Sequence, residues 1–414
     1  GAHHVQNPRQ DFGVHPIPKL IRGIIPRTEG TDDAAAKAFL EAIHSPHGIV
    51  FAELIGGAPQ IIGDAAALAS PFAAPARATS KIQWRMVTAW PKNLPGPGVA
   101  AQMLADRITA LSGGRLEVKL FAAGELVPGP GVFDAVSQGT ADLYHAVPAY
   151  WGSKSKGIML FGSQPFGLRA DEQLGWLMHG GGQALYDEMY ARFNLKPFLC
   201  GNSGAQWAGW FRKEVKSADD FKGLRFRTTG LASEMCSKLG MAVQALSGRE
   251  MFQALQTGTI DAGEFIGPWS DAALGYYQVA KFYYWPGVGE PSSAEECAVN
   301  LKTYEKLPAD LQQAVAFACQ SLYNPVWTEY TTKHALALKQ MVAEQGVQVR
   351  KLPDDVILAM GNAAGQVISN LRSDSDELVR RIVESFLKYR NSISEYMEYA
   401  DSGLMNARAM KYRY

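Results

Sequence analysis

The chain has 414 residues, of which 47% are hydrophobic and 19% are charged. This composition is typical of a globular protein with about two or three domains, and it excludes a disordered chain. Forty basic residues balance forty acidic ones, so there is no basic excess to indicate a nucleic-acid partner. The longest apolar run, near residues 65–76, is shorter than the roughly 18 residues that a membrane-spanning helix requires.

Residues 1–81 differ in composition from the rest of the chain. They contain five of the eight histidines, at spacings that match no metal-ligand motif. The segment AAALASPFAAPARATS at 65–80 resembles the end of a secretory signal with its cleavage site, but Asp64 interrupts the apolar part and no basic start directly precedes it. We interpret residues 1–81 as a presequence or extension of unknown structure.

A regular alternation of predicted elements begins at Ile82. The run IQWRMVTAW alternates apolar and polar residues as a strand does, and VAAQMLADRITAL has the three- and four-residue apolar spacing of a helix that Gly113 and Gly114 end. RLEVKLF then predicts a second strand. This order is typical of an α/β domain, in which ligand-binding groups lie on loops at the carboxyl ends of the strands.

An internal repeat predicts two related α/β lobes. FDAVSQGTADL at 133–143 and FQALQTGTIDA at 252–262 share the pattern FxAxxxGTxD. Each copy predicts a helix that stops at its glycine and continues into a buried strand. Coincidence between two ordinary helix-to-strand turns is the alternative. If the repeat is real, two lobes face each other and a small-molecule site is expected at their interface.

The stretch 201–230 mixes residue types that packing alone would not select. It offers uncharged hydrogen-bonding groups, aromatic rings and two arginines, namely Asn202, Ser203, Gln206, Trp207, Trp210, Phe211, Arg225 and Arg227. An arginine matches a carboxylate with two parallel hydrogen bonds and stays charged when buried, so the mixture suits a small anionic ligand. A partly buried strand with exposed charges explains the same pattern.

Enzymatic motifs are absent from the sequence. There is no GxSxG, HExxH or GxxxxGK[ST] run, and the four cysteines form no CxxC pair. Cys319 is predicted to be a small apolar helix residue in the core. His145 and His179 could act as bases, but His145 follows a predicted strand and is expected to pack, and His179 is expected at a helix end.

Three longer runs carry a specific resemblance. GNSGAQWAGWFRKEVKSADDFKGLRFRTTG, FQALQTGTIDAGEFIGPWSD and YYWPG, with FDAVSQGTADLYHAVPAYWGSK and PFGL before them, resemble the extracytoplasmic solute-binding proteins of tripartite ATP-independent periplasmic (TRAP) transporters. The similarity extends from about Ile82 to Tyr399 and is strongest to the subgroup that binds 2-oxo acids. It implies a two-lobed α/β periplasmic protein that closes around a small carboxylate and delivers it to the membrane subunits of the transporter.

The resemblance also implies roles for single residues. Arg227 stands where the family has its carboxylate-binding arginine, and Gln206 and Glu264 stand where the 2-oxo acid subgroup binds a bridging cation, sodium or calcium. Phe265 replaces a tryptophan whose backbone carbonyl helps to hold that cation. Further expected pocket residues are Asn202, Trp210 and Tyr150 for the substrate and Glu290 for the metal.

The chemistry of a 2-oxo or 2-hydroxy acid agrees with these roles. Its carboxylate and the neighbouring oxygen can chelate one hard cation, which prefers oxygen ligands such as Glu264 and Gln206. Without the cation, Glu264 would repel the substrate carboxylate. Another organic anion, such as a dicarboxylate or an aromatic acid, an enzyme acting on a keto acid, and a sensing module remain alternatives.

The domain limits follow from the same reasoning. Lobe I is predicted to contain residues 82–204 and 293–330, and lobe II residues 205–292 and 331–372. The segment 373–402 predicts a long amphipathic helix with an acidic cap, Asp374 and Glu377, and a stop at Gly403. Its continuous apolar stripe is formed by Leu378, Ile382, Phe386, Tyr389, Ile393 and Tyr396. The resemblance implies a homodimer formed through this helix, and packing on its own chain is the alternative.

Overall fold

The structure of the chain, a computed structural model, describes residues 81–413. The predicted presequence at 1–81, apart from its last residue, therefore lies outside the described residues. The strands within 81–413 are β1 (Ile82–Thr88), β2 (Leu116–Phe121), β3 (Leu143–Ala146), β4 (Leu195–Asn202), β5 (Gly209–Phe211), β6 (Arg225–Arg227), β7 (Ala242–Gln244), β8 (Ala262–Gly263), β9 (Phe282–Trp285), β10 (Ala294–Asn300) and β11 (Gln348–Lys351).

The helices of the same range alternate with these strands. They are α1 (Pro97–Leu111), α2 (Val132–Ser137), α3 (Lys156–Met159), α4 (Ala170–His179), α5 (Gly182–Ala191), α6 (Gly230–Lys238), α7 (Gly248–Thr257), α8 (Pro268–Leu274), α9 (Leu301–Glu305), α10 (Ala309–Glu344), α11 (Asp354–Arg372), α12 (Glu377–Met397) and α13 (Gly403–Arg408). None of them combines the length and apolar character needed to cross a lipid bilayer.

The strands form two separate mixed sheets, which confirms the predicted α/β class. The first has the order β2-β1-β3-β10-β4 and the second the order β11-β9-β5-β8-β6-β7. All strands of the first sheet lie within 82–204 and 293–330, and all strands of the second lie within 205–292 and 331–372. These are the segments predicted for lobes I and II, whose limits remain a prediction.

The chain passes between the two sheets three times. Residues 203–208 connect β4 to β5, residues 286–293 connect β9 to β10, and α10 leads from the first sheet toward β11. Helix α10 has 36 residues, so it is about 54 Å long at 1.5 Å per residue. The two shorter connections lie beside each other, because the N–H of Gln206 donates to the carbonyl of Pro291 over 3.2 Å.

The two copies of the internal repeat have the predicted structure. In each, a helix, α2 or α7, ends before a glycine with positive φ, Gly139 at 82° and Gly258 at 75°. The chain then enters β3 in the first sheet and β8 in the second. A side chain at either glycine would be strained in this left-handed conformation.

A buried carboxylate lies at the centre of the aromatic core beside the first sheet. Glu296 is fully buried and accepts hydrogen bonds from four donors, the hydroxyls of Tyr144, Tyr186 and Tyr190 and the indole of Trp151. Burial raises the pKa of Glu296, while the four donors lower it. Since each donor and the carboxylate satisfy one another, this network carries no free polar group and has a structural role.

The C-terminal helix differs from its prediction at both ends. Its N-cap is Asp376, whose side chain accepts from the Leu378 N–H over 2.9 Å, while Asp374 accepts from Asp376 itself. Gly403 does not stop the helix, because it has helical dihedrals and begins α13 after a wider π-helical turn at Glu398–Ser402. A glycine lowers helix stability by only about 1 kcal/mol, which the continuing turns on both sides offset.

Most of the predicted apolar stripe packs on its own chain. Leu378, Ile382 and Phe386 are buried, and the Trp176 ring packs against Phe386 at 5.9 Å. Tyr389 and Ile393 are partly buried and pack against the same core. Only the last member of the stripe, Tyr396, is exposed.

Candidate functional site

The site begins where two parallel strands of the second sheet end side by side. β6 and β8 run parallel, with Arg227 opposite Gly263. Glu264 follows directly after β8, and its N–H donates to the Arg227 carbonyl over 3.0 Å. The strand register alone therefore brings the predicted carboxylate-binding arginine beside the predicted cation ligand, at the carboxyl edge where ligand groups are expected.

A small cavity lies between this edge and the end of the first sheet. Its walls come from loops next to both sheets and from both short connections between them. The lining residues are Trp90, Pro97, Val147, Tyr150, Ser203, Gln206, Arg227, Thr229, Phe265, Ile266, Glu290, Ser293 and Glu295. A cavity is thus present where the sequence predicts an interlobar site.

Arg227 is the buried cation of the cavity. Its side chain is 2% exposed, whereas Arg225, two residues earlier, lies at the surface and pairs with Asp261 at 2.6 Å. The Arg227 Nε donates to the Leu246 carbonyl over 2.8 Å, and Nη1 donates to the backbone oxygen of Glu264 and to its Oε1, the latter over 3.2 Å. These bonds fix the plane of the guanidinium. The alternative of exposed strand charges therefore fits Arg225 and not Arg227.

The amide of Gln206 is oriented by Ser203. Ser203 Oγ donates to the Gly204 carbonyl and accepts from the Ser293 N–H at 3.0 Å, so its remaining lone pair accepts from Gln206 Nε2, also at 3.0 Å. With Nε2 placed there, Oε1 is the free end of the amide. This Oε1 is buried and has no hydrogen-bond partner among the described residues, which is costly unless a ligand satisfies it.

Two buried carboxyls interact with each other near Arg227, and of these Glu290 lines the cavity while Glu264 does not. Burial raises the pKa of Glu264 to about 7, more than the neighbouring Arg227 charge lowers it. Burial and the charge of Glu264 both raise the pKa of Glu290, whose Oε1 accepts from the Thr229 hydroxyl over 3.1 Å. Glu264 Oε2 has no hydrogen-bond partner within the described chain. A bound cation would stabilise both carboxylates in their charged form.

The backbone carbonyl of Phe265 lies outside α8, whose N-cap is Gly267. The first backbone bond of the helix runs from the Asp271 N–H to the Gly267 carbonyl over 3.0 Å, so no helix N–H is directed to the carbonyls of Glu264 and Phe265. The N–H of Trp269, one of the donors that a helix start leaves unpaired, donates to Nδ1 of His334 over 3.0 Å, and the Glu264 carbonyl accepts from the Arg227 guanidinium. The Phe265 ring packs against that guanidinium at 5.4 Å.

His334 makes the stability of this region depend on pH. Burial lowers the pKa of His334 to about 4, whereas the unfolded chain takes up the proton near 6.5. Stability is therefore lost as the pH falls from 6.5 toward 4, by up to about 3 kcal/mol from this group. We expect His334→Asn to reduce that slope in denaturant unfolding measured between pH 6.5 and 4.5. If the dependence of stability on pH were unchanged in this variant, His334 would not be the group that causes it.

The structure does not bring all predicted residues to the cavity. Five of them line it, namely Tyr150, Gln206, Arg227, Phe265 and Glu290. Glu264 is not a lining residue, but its Oε1 lies 3.2 Å from Nη1 of Arg227. Trp210 lies elsewhere, stacked on Tyr283 at 4.0 Å with its indole N–H on Asp271. Asn202 is buried just before the first connection, where its Oδ1 accepts from the Gly204 N–H and its Nδ2 has no partner among residues 81–413.

Several cavity residues were not predicted from the sequence. Glu295 was missed, although two adjacent acids in the apolar run SSAEECAVN are a signal of a buried polar role. Glu295 accepts from the Tyr330 hydroxyl at 2.9 Å and faces His145 Nε2 at 3.4 Å. Trp90 donates its indole N–H to His145 Nδ1 over 2.9 Å. His145 therefore packs as predicted, and His179 lies in the last turn of α4 as predicted.

The cysteines show no pairing. Cys200, Cys236, Cys297 and Cys319 are all free and buried, and Cys319 lies in the core as predicted. Within residues 81–413 no three His, Cys, Asp or Glu side chains are grouped to hold a metal ion by themselves. A cation at this site would therefore need amide, carbonyl and substrate oxygens beside Glu264, which is a ligand set typical of hard cations.

The site is a cavity between two α/β lobes with one buried arginine and several buried oxygens that lack hydrogen-bond partners among residues 81–413. The family model of "Bacterial extracellular solute-binding protein, family 7" matches residues 86–374. The chain belongs to this family. Its members are transport proteins, which confirms the expected binding role over the enzyme alternative.

Individual relatives extend over the same part of the chain. The "Monocarboxylate 2-oxoacid-binding periplasmic protein" of a Nostoc species is 36% identical over 312 residues, which are 75% of this chain and 85% of that protein. A TRAP solute-binding protein from Bordetella bronchiseptica, solved with calcium and picolinate, is 34% identical with a TM-score of 0.77, and the match covers 80% of this chain and 99% of that chain. One from Pseudoalteromonas atlantica, solved with sodium and pyruvate, is 31% identical with a TM-score of 0.76, covering 80% and 100%.

Proposed function

We propose that the protein binds a small 2-oxo or 2-hydroxy monocarboxylate in the periplasm, through a bridging cation, and delivers it to the membrane subunits of a TRAP transporter. The family and the relatives that bind 2-oxo acids or pyruvate support the transport role. One observation in the chain itself carries the proposal. Beside the buried Arg227, the oxygens Gln206 Oε1 and Glu264 Oε2 are buried without hydrogen-bond partners in the described residues.

The arrangement supports a division of roles around the cavity. Arg227 binds the substrate carboxylate, with the Tyr150 hydroxyl against its guanidinium. Gln206 Oε1, the Glu264 carboxylate and the Phe265 carbonyl hold the cation, and sodium or calcium fits these hard oxygen donors. Glu290 adds negative charge on the same side. Substrate oxygens complete the coordination, so cation and substrate bind together.

The lobes that close around this site follow the two sheets. We propose residues 82–204 with 293–330 for lobe I and residues 205–292 with 331–372 for lobe II. The connections at 203–208 and 286–293 carry Gln206 and Glu290, so the residues that link the lobes are also residues of the site.

Calorimetric titration tests the binding function directly. We expect pyruvate and longer 2-oxo acids to bind in the presence of calcium or sodium and to bind much more weakly after the cation is removed by chelation and dialysis. Picolinate and a dicarboxylate such as succinate serve as probes of the alternative organic anions. Binding of succinate in preference to pyruvate, or turnover of the oxo acid, would contradict the proposal.

We also propose a homodimer formed through the C-terminal segment. The second half of α12 and the turns after it expose Tyr396 and Tyr399, 67% and 74% exposed, together with Leu404 and Met405. The Bordetella relative is a dimer in its crystal. Two such faces packed together would remove apolar surface from water.

A short truncation tests the dimer without disturbing the core. Removing residues 395–414 keeps the buried Leu378, Ile382 and Phe386, so the shortened chain should fold. We expect it to sediment as a monomer at concentrations where the parent is a dimer, and we expect Tyr399→Ser to weaken the parent dimer. A shortened chain that remains dimeric would exclude this surface as the interface.

A further inference from the structure

Asp271 is a buried carboxylate outside the cavity that holds its wall in place. It lies in α8, is 1% exposed, and accepts four hydrogen bonds. Its Oδ2 accepts from the Trp210 indole at 2.9 Å and the Tyr283 hydroxyl at 2.8 Å, and its Oδ1 accepts from the N–H groups of Ile266 and Gly267 at 3.4 and 3.2 Å.

The two oxygens of Asp271 therefore face different parts of the molecule. Oδ2 is bound to side chains of β5 and β9, which are adjacent strands of the second sheet. Oδ1 is bound to the backbone of the segment 264–267, which contains Glu264 and Phe265. The carboxylate thus connects this segment to the sheet. In the chain, Asp271 follows the two residues whose N–H groups it binds by only four or five positions.

The start of α8 does not fix that segment by itself. The segment 264–266 precedes Gly267, the N-cap of α8, so the helix makes no backbone hydrogen bonds to it. Pro268 has no N–H, and the Trp269 N–H donates to His334. A segment outside the helix needs other partners to keep a single conformation, and Asp271 supplies two of them.

We infer that Asp271 is a positioning residue for the cation site: by binding the N–H groups of Ile266 and Gly267 it sets the directions of the Phe265 carbonyl and the Glu264 carboxylate. The inference rests on the proposed cation-dependent function. It also gives Trp210 a role, because the indole holds Asp271 and acts on the site without touching the substrate.

The test compares two buried carboxylates that each accept four hydrogen bonds. In Asp271→Asn the amide NH₂ group must face one of the two pairs of donors, so the bonds to the segment or those to Trp210 and Tyr283 are lost or weakened. Glu296→Gln makes the corresponding exchange in the aromatic core beside the first sheet. Both variants should unfold at a lower temperature. Only Asp271→Asn should weaken calcium binding, measured by calorimetry with saturating pyruvate, by about tenfold, the usual effect of one lost bond to a charged group.

Hydrogen exchange provides a readout that does not depend on the ligand. Peptides that cover 262–270 should exchange faster in Asp271→Asn and at the parent rate in Glu296→Gln. If Asp271→Asn does not fold, Trp210→Phe, which removes one donor to Oδ2, should show the same two effects to a smaller extent, about threefold in calcium affinity.

The outcomes separate this inference from the proposed function. Unchanged calcium affinity and unchanged exchange in the Asp271 variant would overturn the positioning role. Equal losses in Asp271→Asn and Glu296→Gln would also overturn it, because general destabilisation would then explain both. A parent protein that binds neither pyruvate nor calcium would overturn the proposed function and the cation part of the inference, while the exchange data would still decide whether Asp271 orders the segment.

Discussion

Glu264→Ala should abolish the cation dependence of substrate binding and weaken pyruvate binding by about a hundredfold, the upper range for a lost bond to a charged group. The carboxylate is buried, its Oε2 has no hydrogen-bond partner among residues 81–413, and burial raises the pKa of Glu264 to about 7. A buried carboxylate with an unpaired oxygen favours the binding of a cation. Calorimetric titration of pyruvate with and without calcium measures both effects.

A different result would favour a simpler site. If Arg227 alone bound the carboxylate, removing Glu264 would remove a repelling charge, and the variant would bind pyruvate as well as the parent or better. That outcome would contradict the bridging cation while leaving the transport role intact. Glu264→Gln is the matched control, because it keeps an oxygen at the same place and loses the charge.

Arg227→Lys should weaken pyruvate binding by about ten- to a hundredfold, corresponding to about 1.5–3 kcal/mol for a charge-assisted bond. Lysine keeps the positive charge but cannot reproduce the planar guanidinium, which in this structure also binds the carbonyls of Leu246 and Glu264. The loss should differ in kind from that in Glu264→Ala, because the lysine variant should still bind more tightly when calcium is added.

Arg225→Lys is the natural control for this substitution. Arg225 is two residues away on the same strand but pairs with Asp261 at the surface, where an ion pair contributes little. We expect its pyruvate affinity to equal that of the parent. If Arg225→Lys and Arg227→Lys weakened binding equally, the effect would come from the strand and not from a contact with the substrate.

The sequence predicted those parts of the fold that local patterns determine. The βαβ start and both copies of FxAxxxGTxD have the expected elements, since apolar periodicity and a glycine with positive φ are local properties. The end of the C-terminal helix could not be predicted in the same way. Gly403 resembles a stop in the sequence, but the next turns continue, and only the folded backbone shows its helical dihedrals.

Several residues expected from the resemblance lie together at one cavity, namely Arg227, Gln206, Glu290 and Tyr150. Trp210 lies outside that cavity. Its position could not be predicted, because β5 has only three residues and so short a strand does not reveal which face of the sheet each side chain takes. The positioning contact between Asp271 and the Gly267 N–H likewise depends on a turn geometry that no periodicity indicates.

The position of β10 determines when the protein can finish folding. β10 is an inner strand of the first sheet, between β3 and β4, yet it is made after five of the six strands of the second sheet. A growing chain that ends before residue 294 would leave β3 and β4 without their shared neighbour, and open strand edges invite pairing with other chains. Completion of the first sheet therefore waits for a late, long-range pairing, which slows folding.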